Sequence, residues 1–244
     1  MRIAVLSDIH GNLTAFEAVL QDVRGLAPDV AVIGGDLVGT GSSPAEVVDK
    51  IRELGWPTIL GNADEMLWNR AKVDAYFSAP ALRKWHTVVN QGIEAITKAL
   101  GRDRINWLAS VPFEYVDHGI AVVHGTRNDC WRAPGPTASD EDLISAYGSF
   151  GTSCVIYGHI HHAYVRKVRN LTVVNSGSVG LPYDGDPRAA YAVVEDGRAT
   201  IRRVAYDTER EVAALRRMNW PDAEWVAEVL RRGAPLPPPE VLDV

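Results

Sequence analysis

Five short segments of the sequence combine aspartate, asparagine and histidine in positions that could bind metal ions. They are Asp8-Ile9-His10, Gly34-Gly35-Asp36, Gly61-Asn62-Ala63-Asp64, Val123-His124-Gly125 and Gly158-His159-Ile160-His161. Without Asp64 they supply two aspartates, one asparagine and four histidines, enough oxygen and nitrogen donors for two divalent cations. Two adjacent cations held without thiolate ligands are suited to hydrolysis at phosphorus.

The stretches around these segments have the pattern of a parallel β-sheet with crossover helices. Apolar strand patterns at 2–9, 30–33 and 57–60 alternate with helical patterns at 13–23 and 44–54. Each of the five segments follows a predicted strand, and open α/β sheets bind ligands at the carboxyl ends of their strands. The fold is therefore expected to bring the five segments together. If the first strand stays extended, Asp8 and His10 point to the same side.

The remaining chain divides into an insertion, a strand-rich part and a tail. Residues 65–110 predict two or three helices inserted between the third and fourth strands, which either pack against the sheet or partly cover the site. Strand patterns dominate after Pro112, and helical patterns follow at 208–218 and 221–231. We therefore expect one domain over residues 1–232, with the insertion at about 65–110, and a proline-rich tail at 233–244.

Composition limits the classes of function. The 244 residues are 46% hydrophobic and 23% charged, which is typical of a globular protein, and the net charge of −6 argues against a dedicated nucleic-acid-binding surface. The sequence has neither a signal-peptide pattern nor an apolar run of about 20 residues, so no membrane association is expected. Two cysteines form no disulfide framework, which indicates a cytoplasmic protein. A homo-oligomer is left open.

The five segments, in this order, resemble the signature of the calcineurin-like metallophosphoesterases. The motifs are D-x-H, G-D, G-N-x-D, H-G and G-H-x-H, over residues 8–161. The nearer resemblance is to the small bacterial and archaeal phosphodiesterases. It rests on the compact chain, the Gly61-Asn62-Ala63-Asp64 form of the third segment and the stretch Asn175-Ser176-Gly177-Ser178-Val179-Gly180 after the last segment. The resemblance implies an α/β fold in which two packed mixed β-sheets are flanked by helices on both sides.

The resemblance also implies roles for individual residues. Asp8, His10 and His161 would bind the first metal, Asn62, His124 and His159 the second, and Asp36 would bridge the two. These seven residues would be catalytic, since a metal-bound hydroxide is expected to attack the phosphorus of a phosphodiester. Mixed histidine, aspartate and asparagine ligands suit manganese, which we expect, and also iron, zinc, nickel or cobalt.

One position departs from the wider family. Many members carry histidine where this chain has Ala63, and that histidine is taken to assist the leaving group. Alanine cannot donate a proton, so a water, a metal or another residue must do so, or the substrate has a good leaving group. Phosphodiester hydrolysis is therefore favoured, with phosphomonoesterase or protein phosphatase activity as the alternative. A non-catalytic metal-binding scaffold is disfavoured, because all seven ligand positions are filled.

Several further residues are candidates for supporting roles. Asp64 is expected beside the ligands, where it could orient a histidine. Asn12 is expected to cap a helix, with a phosphate contact as the alternative. Arg127 and Trp131 follow the His124 segment and could bind the phosphate and the base of a phosphate-ester or nucleotide-like small molecule, or simply belong to a packed loop. Tyr183 is open to the same two interpretations.

Overall fold

The computed structural model of the chain describes residues 1–238. Its strands are β1 (Arg2–Leu6), β2 (Val30–Ile33), β3 (Glu114–Asp117), β4 (Ile120–Val123), β5 (Cys154–Tyr157), β6 (Tyr164–Val168), β7 (Leu171–Asn175), β8 (Ala189–Glu195) and β9 (Arg198–Val204). Its α-helices are α1 (Leu13–Leu26), α2 (Pro44–Leu54), α3 (Asn62–Glu65), α4 (Arg70–Phe77), α5 (His86–Leu108), α6 (Asp140–Tyr147), α7 (Thr208–Arg217) and α8 (Ala223–Arg232). None of the helices described is long and apolar enough to cross a membrane.

The strands form two mixed sheets. The first has the order β2-β1-β8-β9, with β1 parallel to β2 and antiparallel to β8. The second has the order β3-β4-β5-β7-β6, with β4, β5 and β7 parallel to one another. The carboxyl ends of β1 and β2 in one sheet, and of β4 and β5 in the other, are therefore available to carry a shared site.

Burial explains the layered packing. Strand residues alternate between two faces. Ile3 and Val5 of β1 pack against Val122 of β4 and Ile156 of β5 in the core between the sheets. The opposite face of the first sheet, represented by Leu6, packs against α1, α2, α5, α7 and α8. The outer face of the second sheet packs against α6. The two mixed sheets flanked by helices confirm the expected fold class.

The prediction of a third strand over residues 57–60 is wrong, because only one residue of this stretch pairs with the sheet. The structure has there a single parallel bridge between Thr58 and Ile33. Pro57 has no amide hydrogen to donate. Beyond Thr58, the amide of Leu60 donates to the carbonyl of Pro112 instead, at 2.8 Å. The chain therefore leaves the sheet after one bridge and begins α3 at Asn62.

Candidate metal centre

The five segments meet where the two sheets approach each other. The loops after β1, β2, β4 and β5, together with the start of α3, bring their polar side chains into one buried cluster. Donor atoms of Asp8, His10, Asp36 and His161 all lie within 4.8 Å of one another. The ends of the parallel strands thus bring the polar segments together, as the sequence pattern predicted.

One group of donors surrounds His161. Its Nε2 lies 3.0 Å from Oδ1 of Asp8 and 3.1 Å from Nε2 of His10. Nε2 of His10 is in turn 3.5 Å from Oδ2 of Asp36. These are the three residues proposed for the first metal, together with the proposed bridging carboxylate.

A second group surrounds the side chain of Asn62. Its Oδ1 lies 2.7 Å from Nδ1 of His159 and 3.1 Å from Nε2 of His124. The same His124 nitrogen is 3.3 Å from Oδ1 of Asp36. Asp36 therefore directs one carboxylate oxygen to each group, which is one of the arrangements that a bridging carboxylate can adopt. If the oxygen and nitrogen of the Asn62 amide exchanged places, the nitrogen would donate to the imidazoles of His124 and His159. With Oδ1 facing them, three lone-pair donors converge on one point, as a cation requires.

Backbone carbonyls hold two of the histidines in position. Nδ1 of His124 donates to the carbonyl of Gly34 at 3.0 Å, and Nδ1 of His161 donates to the carbonyl of Leu181 at 2.5 Å. A hydrogen on Nδ1 leaves the Nε2 lone pair free to face the cluster. Hydrogen bonds of this kind fix the orientation and tautomer of histidine ligands.

The two aspartates are held in the ionised form. Burial opposes ionisation of Asp8, but His161 and His124 hold its pKa below the usual range. Burial is likewise outweighed at Asp36, whose pKa His124 lowers strongly. For His124 itself, burial acts to lower the pKa, but Asp36 and then Asp8 raise it to about 10. The two carboxylates therefore favour a positive charge beside them, and a cation that binds Nε2 of His124 must displace the proton held there.

The other two histidines with shifted pKa values are neutral near pH 7. Burial lowers the pKa of both His10 and His159 to about 4. Neutral imidazoles and ionised carboxylates are the forms that bind metal ions. This donor set, without thiolates, therefore fits divalent cations of the first transition row.

The backbone at these ligands is unusual in a way the sequence did not reveal. Asp8, His10, Asp36, His159 and His161 all have left-handed φ angles, of 58°, 52°, 51°, 69° and 56°. Such conformations carry a cost and cluster at functional sites. The expectation that an extended strand places Asp8 and His10 on one side is therefore wrong. β1 ends at Leu6, and tight turns direct both side chains inward.

Asp64 supports the loops around the site. Its Oδ1 accepts hydrogen bonds from the amides of Leu37 (2.9 Å) and Val38 (3.2 Å), and its Oδ2 accepts one from the amide of Gly61 (3.1 Å). Burial, together with the negative charge of Asp36, raises the pKa of Asp64 to about 7. The carboxyl group therefore fastens the turns that carry Asp36 and Asn62, and its described partners are backbone amides in place of the expected histidine.

The structure does not place the three substrate-binding candidates against an open site. Oδ1 of Asn12 caps α1 by accepting from Ala15, and its amide nitrogen donates to Gly180. Trp131 is 1% exposed, and its Nε1 donates to Oε2 of Glu65 at 2.6 Å, so no ring face is open for a base. Arg127 pairs with Glu114 at 3.2 Å.

A cavity of about 360 Å³ adjoins the donor cluster. Its lining includes His10, Asp36, Asn62, His159 and His161 on one side and apolar side chains of α4, α5 and α8 on the other. The helices α4 and α5 of the predicted insertion thus lie beside the donor cluster, where they line the cavity together with α8 from the C-terminal part of the chain. Tyr183, which stacks on His161 with ring centroids 4.5 Å apart, also lines the cavity.

Sequence reasoning missed two groups of residues here. The apolar face of α5 has the spacing of any packed amphipathic helix, so its position beside the cluster was not recognisable. Ser178, which is fully buried, donates to the carbonyl of Asp8 and accepts from the amide of Leu181. Its only signal was membership of the Asn175–Gly180 stretch after the last segment.

Known proteins resemble this chain over most of its length. Residues 1–197 match the calcineurin-like phosphoesterase superfamily domain. An uncharacterised protein of Methanocaldococcus jannaschii is 28% identical over 254 residues, covering 95% of this chain and 98% of the relative. A symmetrical bis(5'-nucleosyl)-tetraphosphatase of Aromatoleum aromaticum is 30% identical over 158 residues, covering 63% of this chain and 54% of that enzyme.

Solved structures agree with the sheet architecture. A metallophosphoesterase from Sphaerobacter thermophilus superposes with a TM-score of 0.76 at 29% identity, covering 96% of this chain and 100% of that one. A hypothetical protein from Pyrococcus horikoshii superposes with a TM-score of 0.82 at 19% identity, covering 96% and 98%. The second comparison bears on the fold alone.

Proposed function

The chain belongs to the calcineurin-like phosphoesterase superfamily, and on that premise we propose that it hydrolyses phosphodiester bonds with two divalent cations. Membership of the family supports a metal-dependent hydrolase of phosphoric esters. The finer proposal rests chiefly on one observation. Asp36 lies between two groups of donors, 3.5 Å from His10 through Oδ2 and 3.3 Å from His124 through Oδ1.

The proposed ligands divide as the two groups do. Asp8, His10 and His161 would hold one cation, while Asn62, His124 and His159 would hold the other. Asp36 would contact both. When bound, such cations polarise the phosphoryl oxygens and activate the attacking water. We expect manganese, with iron, zinc, nickel or cobalt as alternatives, because imidazole with carboxylate and amide oxygens suits all five.

Backbone carbonyls of the protein orient two of the proposed histidine ligands. The carbonyls of Gly34 and Leu181 hold His124 and His161 with Nε2 facing the cluster. At position 63 no side chain can donate a proton, and the amide of Ala63 donates to Oδ1 of Asp36 at 2.8 Å. Residue 63 therefore cannot protonate the leaving alkoxide. This favours esters whose leaving group is stable as an anion.

The test compares a diester with a monoester. Metal-stripped protein is assayed with bis-p-nitrophenyl phosphate and p-nitrophenyl phosphate, with and without added manganese. We expect manganese-dependent cleavage of the diester in preference to the monoester. The isosteric Asp36→Asn change should lower the rate at least about 100-fold, because it removes the charge shared by both donor groups. Asp49→Asn is the matched control, since Asp49 is exposed and pairs only with Arg104 among its described partners.

The outcomes separate the alternatives. A preference for the monoester would favour the phosphomonoesterase alternative. Absence of turnover with manganese, zinc, nickel, cobalt and iron would contradict the proposal and favour a metal-binding scaffold. Equal activity of the Asp36→Asn variant and the wild type would contradict the assigned site.

A further inference from the structure

The cavity beside the donor cluster is larger than metal ligands need. Its volume of about 360 Å³ lies in the range of small-molecule binding sites. The donors form only part of the lining, and most of the remaining lining is hydrophobic. Most of these apolar residues belong to α4, α5 and α8, among them Phe77, Val89, Ile96 and Trp225.

One face of α5 supplies much of this wall. Trp85, which immediately precedes the helix, and Val89, Gly92 and Ile96 all line the cavity and are spaced by four, three and four residues. Residues at these spacings share one face of a helix. Opposite them, Trp225 of α8 meets Trp85 edge to face, with ring centroids 5.6 Å apart. The cavity thus lies between two helices that turn aromatic and aliphatic side chains toward the metal donors.

The charges of the lining argue against a second anionic group on the substrate. Among the described residues that line the cavity there is no lysine and no arginine. Apart from Asp36 of the metal site, the charged residue in the lining is Asp222, whose Oδ2 is buried without a hydrogen-bond partner in the described part of the chain. A chain of further phosphates would meet this carboxylate and would find no protein cation to pair with.

We propose that the group held in this cavity is the bulky, uncharged, apolar part of a substrate that carries a single phosphodiester group, such as an aryl or branched alkyl diester. This inference rests on the proposed function, because the phosphate must lie at the metal donors for the attached group to enter the cavity. Burying an apolar group of this size strengthens binding by roughly 10- to 100-fold. Polyphosphate nucleotides are correspondingly disfavoured.

Gly92 offers a way to fill the cavity without disturbing the fold. It lies within α5 and lines the cavity, and a Cβ added there would meet no atom within 4 Å. A Gly92→Leu side chain would therefore occupy space that the apolar group needs. Gly25→Leu is the matched control, because Gly25 also lies in a helix, is exposed, and has no atom within 4 Å of an added Cβ.

The experiment measures binding, so it does not depend on turnover. The dissociation constants of two diester analogues, the monomethyl esters of 1-naphthylmethylphosphonate and of methylphosphonate, are measured by calorimetry with manganese-loaded protein. For the wild type we expect the naphthyl compound to bind at least tenfold more tightly. Gly92→Leu should reduce this ratio at least fivefold, and Gly92→Ala by less, while Gly25→Leu should keep the wild-type ratio. Circular dichroism and Tm verify that each variant is folded.

Competition with diadenosine tetraphosphate supplies the second arm. It should displace the naphthyl compound no better than a simple monophosphate ester does. Equal binding of the two phosphonates, an unchanged ratio in folded Gly92→Leu protein, or tight binding of the tetraphosphate would each overturn the inference. If the protein hydrolyses no ester but still binds the naphthyl compound more tightly in a way that depends on Gly92, only the proposed function is contradicted. The two can therefore be judged separately.

Discussion

Removing the hydroxyl of Ser178 tests how the chain holds two proposed ligands at once. Ser178 Oγ donates to the carbonyl of Asp8 and accepts from the amide of Leu181, each at 2.7 Å. The carbonyl of Leu181 in turn accepts from Nδ1 of His161 at 2.5 Å. One buried hydroxyl therefore links the backbone of Asp8 to the residue that orients His161. Ser178→Ala keeps the volume of the core and deletes only this link.

The expected loss in the free energy of unfolding follows from the groups that lose a hydrogen-bond partner. The carbonyl of Asp8 still accepts from the amide of Gly180 at 2.9 Å, so it is not left unpaired. The amide of Leu181 loses the acceptor that the structure gives it. A lost hydrogen bond costs about 1 kcal/mol and an unpaired buried amide about 1–3 kcal/mol, so the sum is about 2–4 kcal/mol. For a chain of this length that corresponds to a fall in Tm of roughly 10 °C.

Two measurements check this prediction. Urea unfolding of metal-free protein gives the change in the free energy of unfolding, and manganese titration gives the change in metal affinity. We expect affinity to fall by about 10- to 100-fold, as is usual when a group that supports a ligand is removed. Ser110→Ala is the control, because its exposed hydroxyl donates only to the carbonyl of Trp107 and its loss should cost under about 0.5 kcal/mol. A Tm within 2 °C of the wild type, with unchanged metal affinity, would refute the reasoning.

Three further predictions concern the metal, a buried carboxylate and a close backbone approach. Stripping manganese with a chelator should lower the Tm of the wild type by several degrees in calorimetry, since binding at 100 times Kd stabilises by about 2.7 kcal/mol, and Asp36→Asn should lose most of that difference. Burial acts to raise the pKa of Glu65, but donors led by Trp131 lower it, so its stabilising effect is present above the unfolded-state pKa and fades as pH falls. Glu65→Gln should therefore cost about 1.5–3 kcal/mol in urea unfolding at pH 7 and clearly less at pH 3. Gly180→Ala would put a Cβ 1.9 Å from a backbone carbonyl oxygen and should cost more than about 3 kcal/mol or prevent folding, whereas Gly25→Ala, in open space, should stabilise α1 by up to about 1 kcal/mol.

The framework of the site could be predicted from sequence because its determinants are local. β1, β2, β4 and β5 are short apolar runs, each followed by glycine or a polar ligand within three residues. Periodicity identifies such runs, and the rule that parallel sheets bind ligands at their carboxyl ends then brings the segments together. Neither step needs knowledge of distant contacts. The two-sheet architecture, by contrast, was implied by the resemblance to the calcineurin-like metallophosphoesterases, since periodicity alone predicted only a parallel sheet with crossover helices.

The parts that could not be predicted depend on partners far away in the chain. Trp131 packs in the hydrophobic core with its indole nitrogen donating to Glu65, 66 positions earlier, and no pattern around residue 131 records that partner. The left-handed turns at His10 and His159 are likewise imposed by packing, since neither position is a glycine. The apolar face of α5 looked like ordinary core because amphipathic spacing does not tell whether protein or ligand covers it.

The proposed metal ligands and the proposed substrate-binding wall therefore lie in different parts of this chain. The proposed ligands lie on turns that buried hydrogen bonds fix from behind, through Ser178 and Asp64, so a change there alters metal affinity and stability together. The wall that would select the substrate lies on α5 and α8, which pack on the first sheet but supply none of the proposed ligands. Substitutions at Gly92 or Trp225 should consequently change which esters bind while metal affinity stays constant.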